Sequence, residues 1–228
     1  MHFIDAVLNL FFPNVCGICN KICKESLCPK CKAELNKIKE CKKHIYLTKS
    51  FTTHIYIFNY KDIIRKSIVN YKFNEQAYKY KAFANFIVNN KKICRYLRKY
   101  DIIIPVPISK KRNRQRGYNQ SELILMEIAK SMKDICVLTN ALYKVKDTLP
   151  QSTLGKEERR NNLKNAYEVR NNEIIKNKKV LLFDDIYTTG STVEECSKML
   201  KNAGAYEIRS INSCKRLKLR GVMYGRFS

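Results

Sequence analysis

Residues 179–200, KVLLFDDIYTTGSTVEECSKML, contain the pattern that best indicates the fold of this chain. Its apolar start predicts a buried parallel strand, which ends in two adjacent carboxylates, Asp184 and Asp185. Hydroxyl-bearing residues then surround Gly190, and apolar residues recur at helical spacing through the rest of the stretch. The order of strand, loop and helix is typical of an α/β fold whose ligand-binding groups lie at the carboxyl end of a strand.

The loop after this strand is predicted to bind a phosphate. The first backbone N–H groups of a helix have no partner within the helix, and the helix dipole favours an anion there. Asp184 and Asp185 repel phosphate, so we expect them to accept hydrogen bonds from sugar hydroxyls or to hold a metal. In the alternative, the two acids only end a strand and the hydroxyls only cap a helix. The predicted phosphate-binding residues are Thr188, Thr189, Gly190, Ser191 and Thr192.

The composition allows one good core with a small appendage, because 45% of the 228 residues are hydrophobic. Lys and Arg total 45 against 20 Asp and Glu, which gives a net charge of +25. Such an excess favours contact with polyanions, and nucleic acid is the expected partner. In the alternative, the charge reflects an AT-rich genome, whose codons favour lysine.

The first residues, 1–12, have the spacing of a short amphipathic helix that Pro13 ends. They lack the basic leader of a secretory signal or transit peptide. No apolar run reaches the roughly 18 residues needed to cross a bilayer. The sequence therefore predicts a cytoplasmic protein without a membrane span.

Two CxxC pairs near the N-terminus, separated by eight residues, predict a structural zinc site. Paired thiolates hold one tetrahedral ion, and a segment this short and polar needs the metal to fold. Cys23 lies between the pairs, so another set of four thiols is an alternative, as is a set of free thiols. The roles of Cys23 and Cys41 stay open. The four predicted zinc ligands are Cys16, Cys19, Cys28 and Cys31.

Between the cysteines and the motif strand, the sequence alternates between strand and helix patterns. Residues 44–60 predict two antiparallel strands that contain His44 and His54 as strand residues. Residues 61–73 and 75–99 predict two helices. The apolar run within 101–108 predicts a short buried strand that two prolines end.

A basic segment, SKKRNRQRGYNQ, follows that strand and predicts a loop at the same sheet edge as Asp184. A solvated basic turn is the alternative. The next helix is expected to contain Leu123, Met126, Ile128 and Met132, and the polar segment 144–166 is typical of a lid or binding loop. Short strands are expected at 167–169 and 206–211. The candidate ligands for a diphosphate or for DNA phosphates are Ser109, Lys110, Lys111, Arg112, Arg114 and Arg116.

These features together resemble the ComF family of competence proteins, over most of the 228 residues. The motif at Asp184 also resembles the 5-phosphoribosyl 1-diphosphate (PRPP) signature of type I phosphoribosyltransferases. The shared features are Phe12-Pro13 before the cysteine pairs, Pro105-Val106-Pro107, Arg116-Gly117-Tyr118-Asn119-Gln120, then Gln151, Arg159 and Asn162, and finally Asp184-Asp185 with Thr188 to Thr192.

The resemblance implies an α/β fold with a mostly parallel sheet, helices on both faces and an N-terminal hood. The expected domains are a helix and four-cysteine zinc-finger segment at 1–43 and a phosphoribosyltransferase-like domain at 44–228. Within the second, we expect hood and helices at 44–100, a core at 101–214 and a basic tail at 215–228.

The resemblance also implies a role in natural transformation, in which incoming single-stranded DNA is handled together with a helicase-like ATPase and other DNA-processing competence proteins. The chain contains no GxxxxGK[ST] motif, so ATP-driven work is expected of a partner. PRPP is the implied small-molecule ligand.

Two other hypotheses remain. In an active phosphoribosyltransferase, Thr188 to Thr192 would hold the 5-phosphate, Asp184 and Asp185 the ribose hydroxyls, and Mg²⁺ the diphosphate, with Lys110, Lys111 or Arg112 offsetting the leaving group's charge. The sequence identifies no pocket for a base. In a scaffold, the zinc segment would dock a partner and the PRPP loop would be structural.

Overall fold

A computed structural model describes residues 13–39, 42–45, 53–73, 76–148, 158, 162–215 and 224–226 of this chain. The predicted helix over 1–12 lies outside these residues, as do Cys41, Gln151 and Arg159. Among the described residues, no helix combines the length and the apolar character that a membrane span requires.

The described strands form a central sheet of six and a separate pair. They are β1 (Lys42–Ile45), β2 (Thr53–Asn59), β3 (Ile102–Pro105), β4 (Leu142–Lys144), β5 (Tyr167–Val169), β6 (Lys179–Tyr187), β7 (Glu207–Lys215) and β8 (Tyr224–Arg226). The order across the central sheet is β3-β6-β7-β2-β1-β8. The first four of these strands are parallel, whereas β1 is antiparallel to both of its neighbours and β4 pairs with β5.

Helices cover both faces of this sheet, which confirms the predicted fold class. They are α1 (Pro29–Ile38), α2 (Asp62–Phe73), α3 (Tyr80–Val88), α4 (Lys91–Leu97), α5 (Lys110–Arg116), α6 (Gln120–Ser131) and α7 (Ser191–Asn202), with 3-10 turns at Ala77–Lys79 and Asn172–Ile174. One apolar cluster joins α1, α2, α3, α4 and α6 to the first face. A second cluster joins α7, β4 and β5 to the opposite face.

Side chains at positions 180–183 of β6 alternate between these two clusters, as the pleat of a strand requires. Leu181 and Phe183 belong to the first cluster, and Val180 and Leu182 belong to the second. Continuing the alternation directs Asp185 towards the first face. Its neighbour Asp184 is directed towards the second.

The prediction of one helix over 75–99 is wrong. A 3-10 turn, α3 and α4 occupy this range, and Asn90 separates the two helices. The Asn90 side chain accepts a hydrogen bond from the Ile93 N–H at 3.3 Å, which caps α4. An asparagine side chain stabilises a helix start, where it accepts a hydrogen bond from a free backbone N–H, and is less favourable in a helix interior.

The basic segment after β3 is a helix, α5, where a loop was predicted. Ser109 caps it by accepting a hydrogen bond from the Arg112 N–H at 3.3 Å, and Gly117 ends it with φ of 81°. No residue of α5 is buried, so the helix has no apolar stripe from which the sequence could reveal it.

Helix α6 lies at its predicted place. Ile124, Leu125 and Ile128 are buried together with Met132, whereas Met126 is 47% exposed. Of the four apolar residues expected here, Ile128 and Met132 therefore belong to the first cluster, whereas Met126 faces solvent.

The short strand predicted at 167–169 is confirmed, and three other bounds change. Strand β6 continues two residues beyond the two acids, to Tyr187, and β7 reaches Lys215 where 211 was expected. Strand β4 ends at Lys144, at the start of the segment predicted as a lid. Most of that segment, 149–157 and 159–161, lies outside the described residues.

Candidate functional site

The site lies where the parallel strands end, at the carboxyl edge of the sheet. Pro105, the last residue of β3, is in register with Phe183, so β6 extends past β3 towards this edge. Helix α5 follows β3 after a short turn, and the loop 188–190 follows β6. The basic segment and the predicted phosphate loop therefore share one rim, as expected for an open parallel sheet.

The loop leaves the backbone at the start of α7 accessible to a ligand. Gly190 has φ of 82° and precedes the first helical residue, and no side chain caps the helix. Thr189 and Ser191 contact each other through their hydroxyl oxygens at 3.0 Å, and Thr188 is exposed. Uncapped N–H groups at a helix start are the usual donors to a phosphate.

Gly190 has no space for a side chain. A Cβ at this position would lie 2.1 Å from the hydroxyl oxygen of Tyr187. Tyr187 is 4% exposed, and its ring stacks on His54 at a centroid distance of 3.7 Å. The Tyr187 ring, which stacks on His54, therefore packs against the loop at Gly190. His54 lies in β2, which confirms its predicted strand position.

Asp184 is half-buried and close to other polar groups of the rim. Its Oδ1 accepts hydrogen bonds from the Ser121 hydroxyl at 3.3 Å and from the Asp185 N–H at 2.9 Å. Burial, with a smaller contribution from the charge of Asp185, raises the pKa of Asp184 to about 7. The Lys72 charge opposes this rise. Asp184 can therefore exchange a proton near neutral pH.

Asp185 is 6% exposed and forms an ion pair with Lys72 of α2. The Lys72 Nζ lies 2.9 Å from Oδ1 and 2.7 Å from Oδ2 of Asp185. The two acids, which sequence reasoning treated as one sugar-binding pair, thus have different surroundings. Asp185 has a fixed cation as its partner, whereas Asp184 keeps contact with solvent.

The cations of α5 divide into two sets. Arg112 and Arg116, one helical turn apart, are half-buried and electrostatically coupled to the site, whereas the other three are exposed. Burial lowers the pKa of Arg116, and the charge of Asp185 opposes this shift. The exposed cations of α5 are Lys110, Lys111 and Arg114.

Sequence reasoning missed two lysines of this site, Lys72 and Lys144. Lys144 ends β4, donates a hydrogen bond to the Thr148 hydroxyl at 2.7 Å and interacts electrostatically with Asp184. Burial and the charge of Arg112 lower the pKa of Lys144 to about 8. Neither lysine belongs to a motif, and no local signal distinguishes them from the other lysines of the chain.

Four cysteines form a second candidate site, remote in sequence from the first. The sulfur atoms of Cys16, Cys19, Cys28 and Cys31 all lie within 4.8 Å of one another. The Cys19 and Cys28 sulfurs are 3.9 Å apart, close to the separation of about 3.8 Å for two thiolates on a tetrahedral zinc ion. The thiols therefore fit a tetrahedral metal ion such as zinc.

The surroundings of these sulfurs also suit a metal. Backbone N–H groups of Cys28 and Cys31 donate to the sulfurs of Cys16 and Cys28, both at 3.4 Å. Burial acts to raise the pKa of Cys16, but backbone donors outweigh it and lower the value to about 6. The Cys23 thiol instead donates to the Glu25 carbonyl at 2.9 Å, so Cys23 stands outside the cluster.

Comparison with known proteins is consistent with this geometry. Residues 108–224 match the family model described as "Phosphoribosyl transferase domain". Competence protein F of Haemophilus influenzae is 33% identical over 86% of this chain and 87% of its own length. Competence protein ComFC of Streptococcus pneumoniae is 30% identical over 82% of this chain and 80% of its own. DNA utilization protein YhgH of Escherichia coli O157:H7 is 33% identical over 51% of this chain and 50% of its own. With this similarity along most of its length, the chain belongs to the ComF family of competence proteins and contains a phosphoribosyl transferase domain.

Proposed function

We propose that this chain handles incoming single-stranded DNA during natural transformation, on a fold that also binds PRPP. The proposal that the chain binds DNA rests on the exposed cations of α5. Lys110, Lys111 and Arg114 are exposed beside the phosphate loop, and no acid occurs within the helix. Exposed cations contact DNA phosphates without regard to sequence.

The names of the relatives support the same proposal. Two of them are named as competence proteins and a third as a DNA utilization protein. The net charge of +25 adds a long-range attraction for any polyanion. The basic tail, in which sequence reasoning placed further cations, lies mostly outside the described residues.

The test compares two triple variants of equal charge change. In the first, Lys110, Lys111 and Arg114 become Gln. In the second, the exposed cations of α4 become Gln, and these are Lys91, Lys92 and Arg95. Helix α4 ends just before the amino end of β3, whereas α5 begins just after its carboxyl end, so α4 serves as the matched control.

Single-strand affinity is then measured across a salt series. We expect the α5 variant to lose affinity and to lower the slope of log K against log salt by about 2, at roughly 0.7 per phosphate contact. The α4 variant should retain most of the wild-type slope. Equal losses in both variants would contradict a localised DNA site, and an affinity without salt dependence would contradict the proposal as a whole.

For PRPP, we propose that the backbone of 188–192 holds the 5-phosphate and that Asp184 accepts from ribose hydroxyls. Asp185, paired with Lys72, contributes charge and position. The diphosphate, with Mg²⁺, would lie towards Arg112 and Lys144. This arrangement is supported by the uncapped start of α7 and by the cations that surround the acids.

A second candidate function is phosphoribosyl transfer to a base or another acceptor. It is favoured by the carboxylate of Asp184, because departure of diphosphate leaves positive charge on the sugar that a nearby acid stabilises. Release of diphosphate from PRPP with a panel of bases tests it. The Asp184→Asn and Asp185→Asn variants should then lose turnover, and an inactive wild-type chain would contradict this candidate while leaving DNA handling intact.

We further propose that the protein works in the cytoplasm and that a helicase-like ATPase and other DNA-processing competence proteins are its partners.

We also propose that the four cysteines bind structural zinc. Four thiolates leave no open position on the ion, so the metal stabilises and does not catalyse. Metal analysis of the purified chain should give one zinc per chain. A Cys16→Ser/Cys31→Ser variant that retains zinc would contradict this assignment.

A further inference from the structure

Helix α2 contacts both candidate sites. The segment that contains the four clustered thiols, 16–31, is called the cysteine knuckle below. Ser67 of α2 contacts this knuckle, and Lys72, five residues later, contacts Asp185. These two contacts lie within about 8 Å along one helix axis, at 1.5 Å per residue.

The knuckle is docked on the fold through the carbonyl oxygen of Gly17. This oxygen accepts hydrogen bonds from the Ser67 hydroxyl at 2.9 Å and from the Lys79 ammonium at 2.8 Å. Ser67 and Lys79 are both 0% exposed. Lys79 also donates to the Asn20 side chain at 2.7 Å. Because buried donors without acceptors are costly, the knuckle's position fixes that of the two donors.

Steric packing strengthens this docking. A Cβ added at Gly17 would lie only 2.5 Å from the Cβ of Ala82 in α3. The buried residues Cys16 and Cys31 also belong to the same apolar cluster as Ile68 and Tyr71 of α2. The knuckle and α2 therefore share one packed interior, which transmits small displacements because it has little free volume.

The last turn of α2 is fixed at the other site. Lys72 pairs with Asp185, and the Tyr71 hydroxyl donates to the Gln120 carbonyl at 3.0 Å, at the start of α6. The Tyr118 hydroxyl donates to the Tyr71 carbonyl. The last turn of α2 is thus tied both to Asp185 of β6 and to the start of α6.

We propose that α2 is a positioning element through which metal binding by the cysteine knuckle sets the ion pair between Lys72 and Asp185. When the metal leaves, the thiols separate and the Gly17 carbonyl moves away from Ser67 and Lys79. Helix α2 then loosens and Lys72 withdraws from the carboxylate. Coupling between two equilibria is reciprocal, so loss of the Lys72 contact also weakens metal retention. The inference rests on the proposed metal site and not on DNA or PRPP binding.

The test measures the zinc affinity of the full chain by equilibrium competition with a colorimetric chelator. We expect Lys72→Met to bind zinc several-fold more weakly than wild type, and Lys72→Arg, which keeps the cation, to bind it with nearly the wild-type affinity. Ile175→Ala is the control, because Ile175 is buried in the cluster on the opposite face of the sheet. Its melting temperature should match that of Lys72→Met, and it should bind zinc more tightly than Lys72→Met does. Equal affinities for these two variants would attribute the effect to global stability and overturn the inference.

A second measurement needs no variant. Amide exchange of the wild-type chain is followed with and without zinc, and removal of zinc should speed exchange in residues 68–72 and 184–186 while β5 stays unchanged. Equal exchange in both states at these residues would overturn the inference. A chain that holds no zinc would refute this inference and the zinc proposal together, while the DNA proposal would stand, because neither readout uses PRPP or DNA.

Discussion

Replacing Lys72 by Met should destabilise the protein strongly, because it leaves the Asp185 carboxylate buried without its cation. The side chains of Lys72 and Asp185 are 20% and 8% exposed, and the ammonium lies 2.7 Å from Oδ2. Removing one partner of a buried ion pair costs about 3–5 kcal/mol. Since Lys72 keeps some contact with water, we expect the lower end, about 3 kcal/mol, which lowers the melting temperature of a chain of this length by about 6–12 °C.

A double-mutant cycle separates the ion pair from other effects of the substitution. Asp185→Asn alone should cost only about 1 kcal/mol, because the Lys72 ammonium can turn towards water. The double variant Lys72→Met/Asp185→Asn should be more stable than Lys72→Met alone, with a coupling energy of about 2 kcal/mol. Urea unfolding of the zinc-loaded chains gives these values. Additive losses in the double variant, or a cost for Lys72→Met below about 1 kcal/mol, would show that the pair is not a buried ion pair in solution.

Three further predictions concern single residues. Gly190→Ala should lower the free energy of unfolding in urea by about 1–3 kcal/mol more than Gly117→Ala. Both glycines have positive φ (82° and 81°), but only at Gly190 would a Cβ clash with Tyr187. Equal losses would contradict the packing argument. Asp184→Asn should raise the melting temperature at pH 8. The pKa of Asp184 is raised from 3.8 to about 7 in the fold, so the buried, ionised carboxylate destabilises the native state increasingly as the pH rises from 3.8 to about 7, and fully above that. The gain should vanish near pH 4, and a gain that is constant with pH would refute the shift. Gly17→Ala should lower both the melting temperature and the retention of zinc, because the new Cβ would lie 2.5 Å from the Cβ of Ala82 in α3. Unchanged zinc retention would contradict the tight docking of the knuckle.

Local patterns were sufficient where one segment contains its own signal. The apolar run of β6 predicts a buried strand, and the two CxxC pairs predict a cluster of four thiols, which the structure brings within 4.8 Å. Helix α5 shows the opposite case. It buries no residue and shows no apolar periodicity, so its helical form depends on the Ser109 cap and on the glycine that ends it.

The predicted boundary between a zinc segment and a transferase domain at 43 and 44 stays a prediction. The structure adds that Cys16 and Leu35 on one side of that boundary share an apolar cluster with Ile55 and Phe83 on the other. The amino-acid composition changes sharply at the cysteines, and this change suggested the boundary. Burial depends instead on which residues the folded chain brings into contact. A boundary drawn from composition therefore carries no information about how much core the two parts share.

The order of strand, acids, hydroxyl-rich loop and helix, and the set of four clustered thiols, could be derived from the sequence, because each depends on residues near one another in the chain. It is the packing of the chain that gives Asp184 and Asp185 different partners. The pleat of β6 directs them to opposite faces, and the cation for Asp185 comes from a helix 113 residues away. Pairing across such a distance follows from how α2 packs between the knuckle and the sheet, and no local pattern specifies that packing.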